Sequence, residues 1–221
     1  MEIASPPRRK LGRPLSFDRD AALEQAMRLF WRHGYEATSL SELTRAMGVT
    51  PPSIYAAFGD KKGLFREAIQ RYLARPLTPT AIIAAAASAR EAARTLIEGA
   101  AVAFTGTDTP PGCLLASSAI ACSAEAADVL EELSAIRLGV EGELRDRIVQ
   151  GIREGELPDE TDAQTLAAYV TAVIQGMSTL ARDGASREKL MQVAGQAMLA
   201  WPADGQEDRR KRAHTRDSRE D

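Results

Sequence analysis

Apolar residues recur along most of this chain at steps of three and four, which is the spacing of amphipathic helices rather than of strands. Between residues 18 and 34 they follow Asp18, a residue type that caps helices, and the pattern stops at Gly34. This predicts a first helix, and β-branched runs that favour strands are few. We therefore predict an all-α protein.

Residues 38–58 predict two short helices joined by a tight turn. Ser39 and Glu42 have the spacing of a capping box, and Gly48 can take the left-handed conformation that ends a helix. Beyond the turn, Thr50 can cap a second helix with Pro51 at its first position. Such a pair forms a helix-turn-helix, whose second helix can enter the DNA major groove.

The rest of the chain also predicts helices. Asp60 can cap a fourth helix, and Pro76 and Pro79 mark the expected domain boundary. Further helices are predicted near residues 80–87, 88–104, 113–122, 124–151, 161–181 and 186–201. The predicted organisation is a disordered basic arm (1–14), a DNA-binding domain (15–75), a second helical domain (76–202) and a disordered charged tail (203–221).

Charge is unevenly distributed along the chain. The net charge of −3 combines +5 over residues 1–75, −8 over residues 76–202 and 0 over the last 19 residues. A basic first third on an acidic remainder is typical of a DNA-binding domain attached to a domain with another role. With no apolar run of membrane-spanning length and only two cysteines, we expect a cytoplasmic protein.

Two segments identify a family. FWRHGYEATS (residues 30–39) and IYAAFGDKKGLF (residues 54–65) resemble the DNA-binding domain of TetR-type transcriptional repressors. The resemblance is close over residues 12–74 and general beyond them. It implies a three-helix helix-turn-helix domain, a larger helical ligand-binding and dimerisation domain, a homodimer formed by the last two helices (about 161–201), a double-stranded DNA operator and a small-molecule inducer.

The resemblance also implies DNA-contacting positions. Base-facing residues of the recognition helix are Thr50, Pro51, Pro52, Ser53 and Ala56. Expected phosphate contacts are Thr38, Tyr55 and Lys61, whereas Lys62 is either a contact or a solvated side chain.

The arm adds one more candidate. Gly12-Arg13-Pro14 resembles the core of minor-groove AT-hook peptides, so Arg13 either enters a minor groove or only attracts phosphates.

Since Pro51 and Ala57 stand where relatives often carry polar or aromatic side chains, direct base readout should be sparse. Contacts with thymine methyl groups and DNA shape should then matter more.

An apolar ligand pocket is expected within residues 88–181, with plain core packing as the alternative for each residue. The bulky candidates are Leu96, Phe104, Leu115, Ile120, Leu138, Tyr169 and Met177.

Enzymatic chemistry has little support in this sequence. It has two histidines, no glycine-rich phosphate loop and no Cys/His/Asp set at metal-ligand spacing, so we expect no enzyme, metal or cofactor.

Two other hypotheses remain: a partner-binding or enzymatic helical module that contains a helix-turn-helix, and a redox sensor switched through Cys113 or Cys122. On one straight helix these cysteines would be separated by a rise of roughly 13 Å, whereas a disulfide needs Cα atoms within about 7 Å. Buried packing is therefore favoured for both.

Overall fold

The computed structural model describes residues 17–74, 77–118 and 126–203, and all regular secondary structure in those ranges is helical. The helices are α1 (Arg19–His33), α2 (Leu40–Met47), α3 (Pro51–Phe58), α4 (Lys61–Leu73), α5 (Pro79–Ala85), α6 (Ala89–Phe104), α7 (Leu114–Ser117), α8 (Ala127–Glu154), α9 (Ala163–Arg182) and α10 (Arg187–Leu199). The all-α prediction is confirmed.

Helix ends follow from local chemistry. Asp18 accepts hydrogen bonds from the backbone N–H groups of Asp20 and Ala21, and Ser186 caps α10 in the same way. The continuous helix predicted over 113–122 is shorter in the structure, because α7 begins only after Cys113 and ends at Ser117. None of the helices in the described residues is long and apolar enough to span a membrane.

The helices enclose two apolar cores. The first core joins α1, α2, α3 and α4, with Phe30, Trp31 and Phe65 among its largest buried side chains. The second core joins α5, α6, α9, α10 and the second half of α8, and is rich in alanine. Ala89, Ala92, Ala93 and Ala101 are fully buried there, so the helices approach each other closely.

Helix α8 belongs to both cores. Val129 and Leu133, in its first two turns, pack into the first core, whereas Leu144 and Ile148 pack into the second. Leu114 of α7 also packs into the first core. Residues predicted to form the second domain thus complete the core of the first.

Candidate nucleic-acid interface

The helix-turn-helix is held by its own short-range contacts. The capping box of α2 is complete: Glu42 N–H donates to Ser39 Oγ at 3.2 Å, and Ser39 N–H donates to the Glu42 carboxylate at 2.8 Å. Gly48 ends the helix in the left-handed conformation, with φ of 66°. Ile54 and Phe58 of α3 are buried in the first core. Together these contacts fix which edge of α3 faces solvent.

That exposed edge carries the residues predicted to face DNA bases. Pro51, Pro52 and Ala56 are exposed, and Ser53 is half-buried. Thr50 is the N-cap residue as predicted, but its side chain makes no cap hydrogen bond. Its hydroxyl instead lies 3.0 Å from that of Ser53, so the two side chains form a hydrogen-bonded pair at the start of α3.

Tyr55 also lies on this edge. Its side chain is 52% exposed, and its hydroxyl has no hydrogen-bond partner among the residues that the structure describes. A buried structural role is therefore ruled out for its ring, since Ile54 and Phe58 already occupy the core side. The phosphate contact itself stays a prediction.

Lys61 is anchored to the turn between α1 and α2. Its ammonium nitrogen lies 4.4 Å from the centre of the Tyr35 ring and 3.4 Å from the Glu36 carbonyl oxygen, to which it donates. Burial, together with the charges of Asp60 and Glu36, raises the pKa of Tyr35 to about 12. The phenol beneath Lys61 is neutral at physiological pH, so the ammonium lies over an uncharged aromatic ring.

Lys62 is not a solvated side chain. Its ammonium nitrogen lies 2.7 Å from a carboxylate oxygen of Asp128, in the first turn of α8. The hydrogen bond from Lys62 holds the pKa of Asp128 below its ordinary value. One turn later in α4, Arg66 Nε donates to the carboxylate of Glu132 at 2.9 Å. A phosphate contact by Lys62 would have to use one of the two other N–H donors of this ammonium group or replace the pair with Asp128.

Sequence reasoning missed these ion pairs. Lys62 and Arg66 are four residues apart in α4, as are Asp128 and Glu132 in α8, so each pair lies on one helical face. The spacing was visible in the sequence, but nothing local indicated that the two faces meet.

The predicted hydroxyl contact of Thr38 with phosphate is wrong for this geometry. Thr38 is fully buried, and its hydroxyl donates to the carbonyl oxygen of Gly34 at 2.6 Å. This bond closes the turn between α1 and α2, so the side chain has a structural role. Arg13, the other phosphate or minor-groove candidate, lies outside the described residues.

The predicted ligand-pocket residues do not form one group. Leu96, Phe104 and Met177 are buried together in the second core, but Leu115 packs into the first core. Leu138 is 61% exposed, so its assignment to a buried pocket is wrong; it lies on a different face of α8 from the buried Leu133 and Leu144. Ile120 lies outside the described residues.

Tyr169 lines a different feature, an open groove of about 460 Å³ between α9 and α10. Its hydroxyl donates to the Ala197 carbonyl oxygen at 3.2 Å, which ties the two helices together. A second open groove, of about 410 Å³, lies between α5 and α8 and is lined by carboxylates and by Arg147. Within the described ranges, no group of three or more His, Cys, Asp and Glu residues is placed to hold a metal ion.

Cys113 lies at the junction of the two cores. It precedes α7 and is half-buried, and its sulfur accepts a hydrogen bond from the Tyr72 hydroxyl at 3.4 Å. The straight-helix geometry used to compare the two cysteines does not apply, because Cys113 is outside α7 and Cys122 falls outside the described residues.

Comparison with known proteins gives the same family over most of the chain. Residues 22–68 match the family described as bacterial regulatory proteins, tetR family, and residues 91–196 match the tetracyclin repressor-like C-terminal domain. The chain is 41% identical over 193 residues to the HTH-type transcriptional repressor ComR of Escherichia coli K12, covering 86% of this chain and 92% of ComR. It is 29% identical over 187 residues to the repressor BdcR of the same organism, covering 84% of this chain and 90% of BdcR.

Solved structures agree with the sequence matches. A cysteine mutant of the TetR family transcriptional regulator CifR, complexed with 26-bp double-stranded operator DNA, superposes with a TM-score of 0.80. It is 42% identical and covers 86% of this chain and all of the CifR chain. The TetR regulator from Rhodococcus sp. RHA1 is 37% identical, with a TM-score of 0.58 over 84% of this chain and all of its own. This chain therefore belongs to the TetR family of bacterial transcriptional regulators.

Proposed function

We propose that this chain is a repressor that binds a double-stranded DNA operator as a homodimer, with α3 of each protomer in the major groove. The observation that carries the proposal is the orientation of α3. Ile54 and Phe58 fix one side in the core, which leaves Pro51, Tyr55 and Ala56 on the free edge. A major groove about 12 Å wide admits a helix presented in this way.

The chemistry of that edge predicts how DNA is read. Thr50 and Ser53 supply hydroxyl groups that share one hydrogen bond, so together they retain one donor and several acceptors for bases. Pro51, Pro52 and Ala56 offer only apolar contact, which suits thymine methyl groups. Much of the specificity should then come from DNA shape, while phosphate contacts by Tyr55 and Lys61 fix the position of the protein on the duplex.

The proposed dimer surface is formed by α9 and α10. The groove between them is apolar, and Leu199 at the end of α10 is 76% exposed. Gly176 and Gly195 have open space around them, so a second copy can approach the backbone closely. The proposed domains keep their predicted bounds of 15–75 for DNA binding and 76–202 for dimerisation and ligand binding.

Footprinting of the purified protein on DNA flanking its own gene tests the proposal. Lys61→Ala should weaken binding to every sequence and flatten the slope of log K against log salt by up to about one unit, because one phosphate contact is lost. Arg94→Ala, which removes an exposed cation of α6 outside the proposed DNA edge and the proposed dimer helices, is the matched control and should leave that slope unchanged. Absence of any protected region would contradict the proposed function, and a changed sequence preference with an intact slope would contradict the role of Lys61.

We further propose that a small apolar or amphipathic ligand releases the operator. Support comes from the second core, where Leu96, Phe104 and Met177 are buried among alanines within the part of the chain that links α4 to the dimer helices. Linkage requires reciprocity: a ligand that weakens DNA binding a hundredfold must bind the DNA-free dimer a hundredfold more tightly than the DNA-bound dimer. Titration of apolar compounds against free and operator-bound protein tests this, and equal affinities for every compound that binds would refute it.

The redox alternative rests on the place of Cys113. Its sulfur lies beside Tyr72 of α4, and its backbone N–H donates to Ser178 of α9 at 2.8 Å. Oxidation at this position would disturb a contact between the DNA-binding helices and the proposed dimer surface. Comparing operator release by peroxide in wild type, Cys113→Ser and Cys122→Ser distinguishes the two modes of control, because only a redox sensor loses its response in one of the variants.

A further inference from the structure

Arg182, the last residue of α9, binds the end of α1. Its Nη1 donates to the Trp31 carbonyl oxygen at 3.1 Å, and its Nη2 donates to the Arg32 carbonyl oxygen at 3.0 Å. Carbonyl groups in the last turn of a helix have no N–H partner within that helix, and a cation is favoured at that end. One side chain therefore joins a helix of the proposed dimer surface directly to the DNA-binding helices.

The loop at Gly112 and Cys113 lies between α1 and α9 and supports the joint, which is the contact of Arg182 with the end of α1. The indole N–H of Trp31 donates to the Gly112 carbonyl oxygen at 3.0 Å, and Cys113 N–H donates to Ser178, one turn before Arg182. Gly112 has φ of 79°, and a Cβ there would lie 2.8 Å from the Ser178 carbonyl oxygen and 3.0 Å from Cγ of Arg182. Since the backbone is already as close as glycine permits, α1 and α9 have little room to shift against each other.

The joint lies immediately before the helix-turn-helix. Arg32 is in the last turn of α1, and the Thr38 hydroxyl closes the turn that leads into α2. Any change in the angle between α9 and α1 is therefore carried to α2 and α3. In a dimer held by α9 and α10, this angle sets the distance between the two α3 helices. That distance must match the spacing of the DNA half-sites, which is one helical turn of DNA, about 34 Å, or a multiple of it.

We propose that Arg182 is a positioning residue that sets the spacing between the two recognition helices of the dimer. The inference rests on the proposed function, because it requires a dimer that binds two DNA half-sites. It assigns to Arg182 no contact with DNA and no part in reading bases.

The test compares Arg182→Gln with Arg187→Gln. Arg187 is a matched control because its guanidinium also binds a helix end, donating to Thr105 Oγ1 at 3.1 Å, but it joins α10 to α6 and leaves α1 untouched. The probes are duplexes that the wild type selects from a randomised library. They are then remade with one or two base pairs added or removed between half-sites, and with one half-site scrambled.

Wild type and Arg187→Gln should lose affinity steeply when the spacing changes. Arg182→Gln should bind the selected spacing about tenfold more weakly, because hydrogen bonds are lost in both protomers, and should bind the altered spacings nearly as well. Its affinity for a single half-site should equal that of the wild type. Arg182→Lys keeps the charge and can donate to one of the two carbonyls, so its spacing preference should be intermediate.

Equal losses on every duplex, including the single half-site, would mean that Arg182 only stabilises the fold and would overturn the inference. An unchanged spacing preference in Arg182→Gln would also overturn it. Melting temperature and dimer mass at fixed protein concentration show whether each variant is folded. Should Arg182→Gln not fold, Arg182→Lys decides, and a wild-type spacing preference in that variant would overturn the inference. A wild type that selects no duplex would refute the proposed function as well.

Discussion

Gly63, in the first turn of α4, allows α3 and α4 to meet at a distance that no other residue permits. An ideal Cβ at this position would lie 2.1 Å from the carbonyl oxygen of Phe58 and 3.3 Å from its carbonyl carbon. Both atoms are backbone, so they cannot rotate aside as a flexible side chain would. Gly63→Ala therefore forces the end of α3 away from α4.

Two effects of opposite sign determine the size of the change. Alanine is favoured over glycine in a helix by up to about 1 kcal/mol. Overpacking a close contact costs about 1–3 kcal/mol, and the upper part of that range applies where backbone must move. The net expectation is a loss of about 1–2 kcal/mol in the free energy of unfolding, or about 2–8 °C in melting temperature.

Urea and thermal denaturation at one fixed protein concentration measure this change, because dimer formation makes stability depend on concentration. Gly99→Ala in α6 is the matched control: a Cβ there meets no atom within 4 Å, so only the gain in helix propensity remains. Gly99→Ala should therefore melt at or above the wild type. The reasoning is refuted if Gly63→Ala is as stable as Gly99→Ala.

Three further predictions concern stability. Thr38→Val should lower the free energy of unfolding by about 1–2 kcal/mol, because the buried carbonyl of Gly34 loses its hydrogen-bond donor. Thr38→Ser keeps a hydroxyl and should retain most of the wild-type stability. A variant that loses DNA affinity without losing stability would restore the phosphate role of Thr38. In α8, Leu133→Ala should lower the free energy of unfolding by about 2–5 kcal/mol, and Leu138→Ala by less than about 0.5 kcal/mol. Urea denaturation measures both values. Equal losses would contradict the burial of Leu133 and the exposure of Leu138. Burial raises the pKa of Glu156, but hydrogen bonds from Arg147 and from a backbone N–H outweigh this and lower it. Glu156 therefore stabilises the fold above the ordinary glutamate pKa of about 4.3, and this contribution is lost as the pH falls through the lower folded value. In acid, the stability of Glu156→Gln should therefore depend less on pH than that of the wild type. An unchanged pH profile of stability would argue against the ion pair between Arg147 and Glu156.

The local structure of the DNA-binding region could be predicted from residues close together in the chain. Asp18, Ser39 with Glu42, Gly48 and Pro51 act within a few residues of their own position, so helix ends could be predicted from them without knowing the fold. Ile54 and Phe58, four residues apart, share one face of α3, which is the face buried in the structure. The family resemblance then supplied the meaning of the exposed side.

Contacts between segments that are far apart in the chain could not be predicted in this way. Lys62 was expected to face solvent or DNA, but its partner Asp128 lies 66 residues further along the chain. Leu138 has the same apolar character as Leu133, yet only the helix packed against α8 determines which of them is covered. Arg182 and Trp31 are 151 residues apart, and no local pattern marks either one as half of a joint. Helix caps depend on neighbours in sequence, whereas ion pairs, cores and joints between helices depend on neighbours in space.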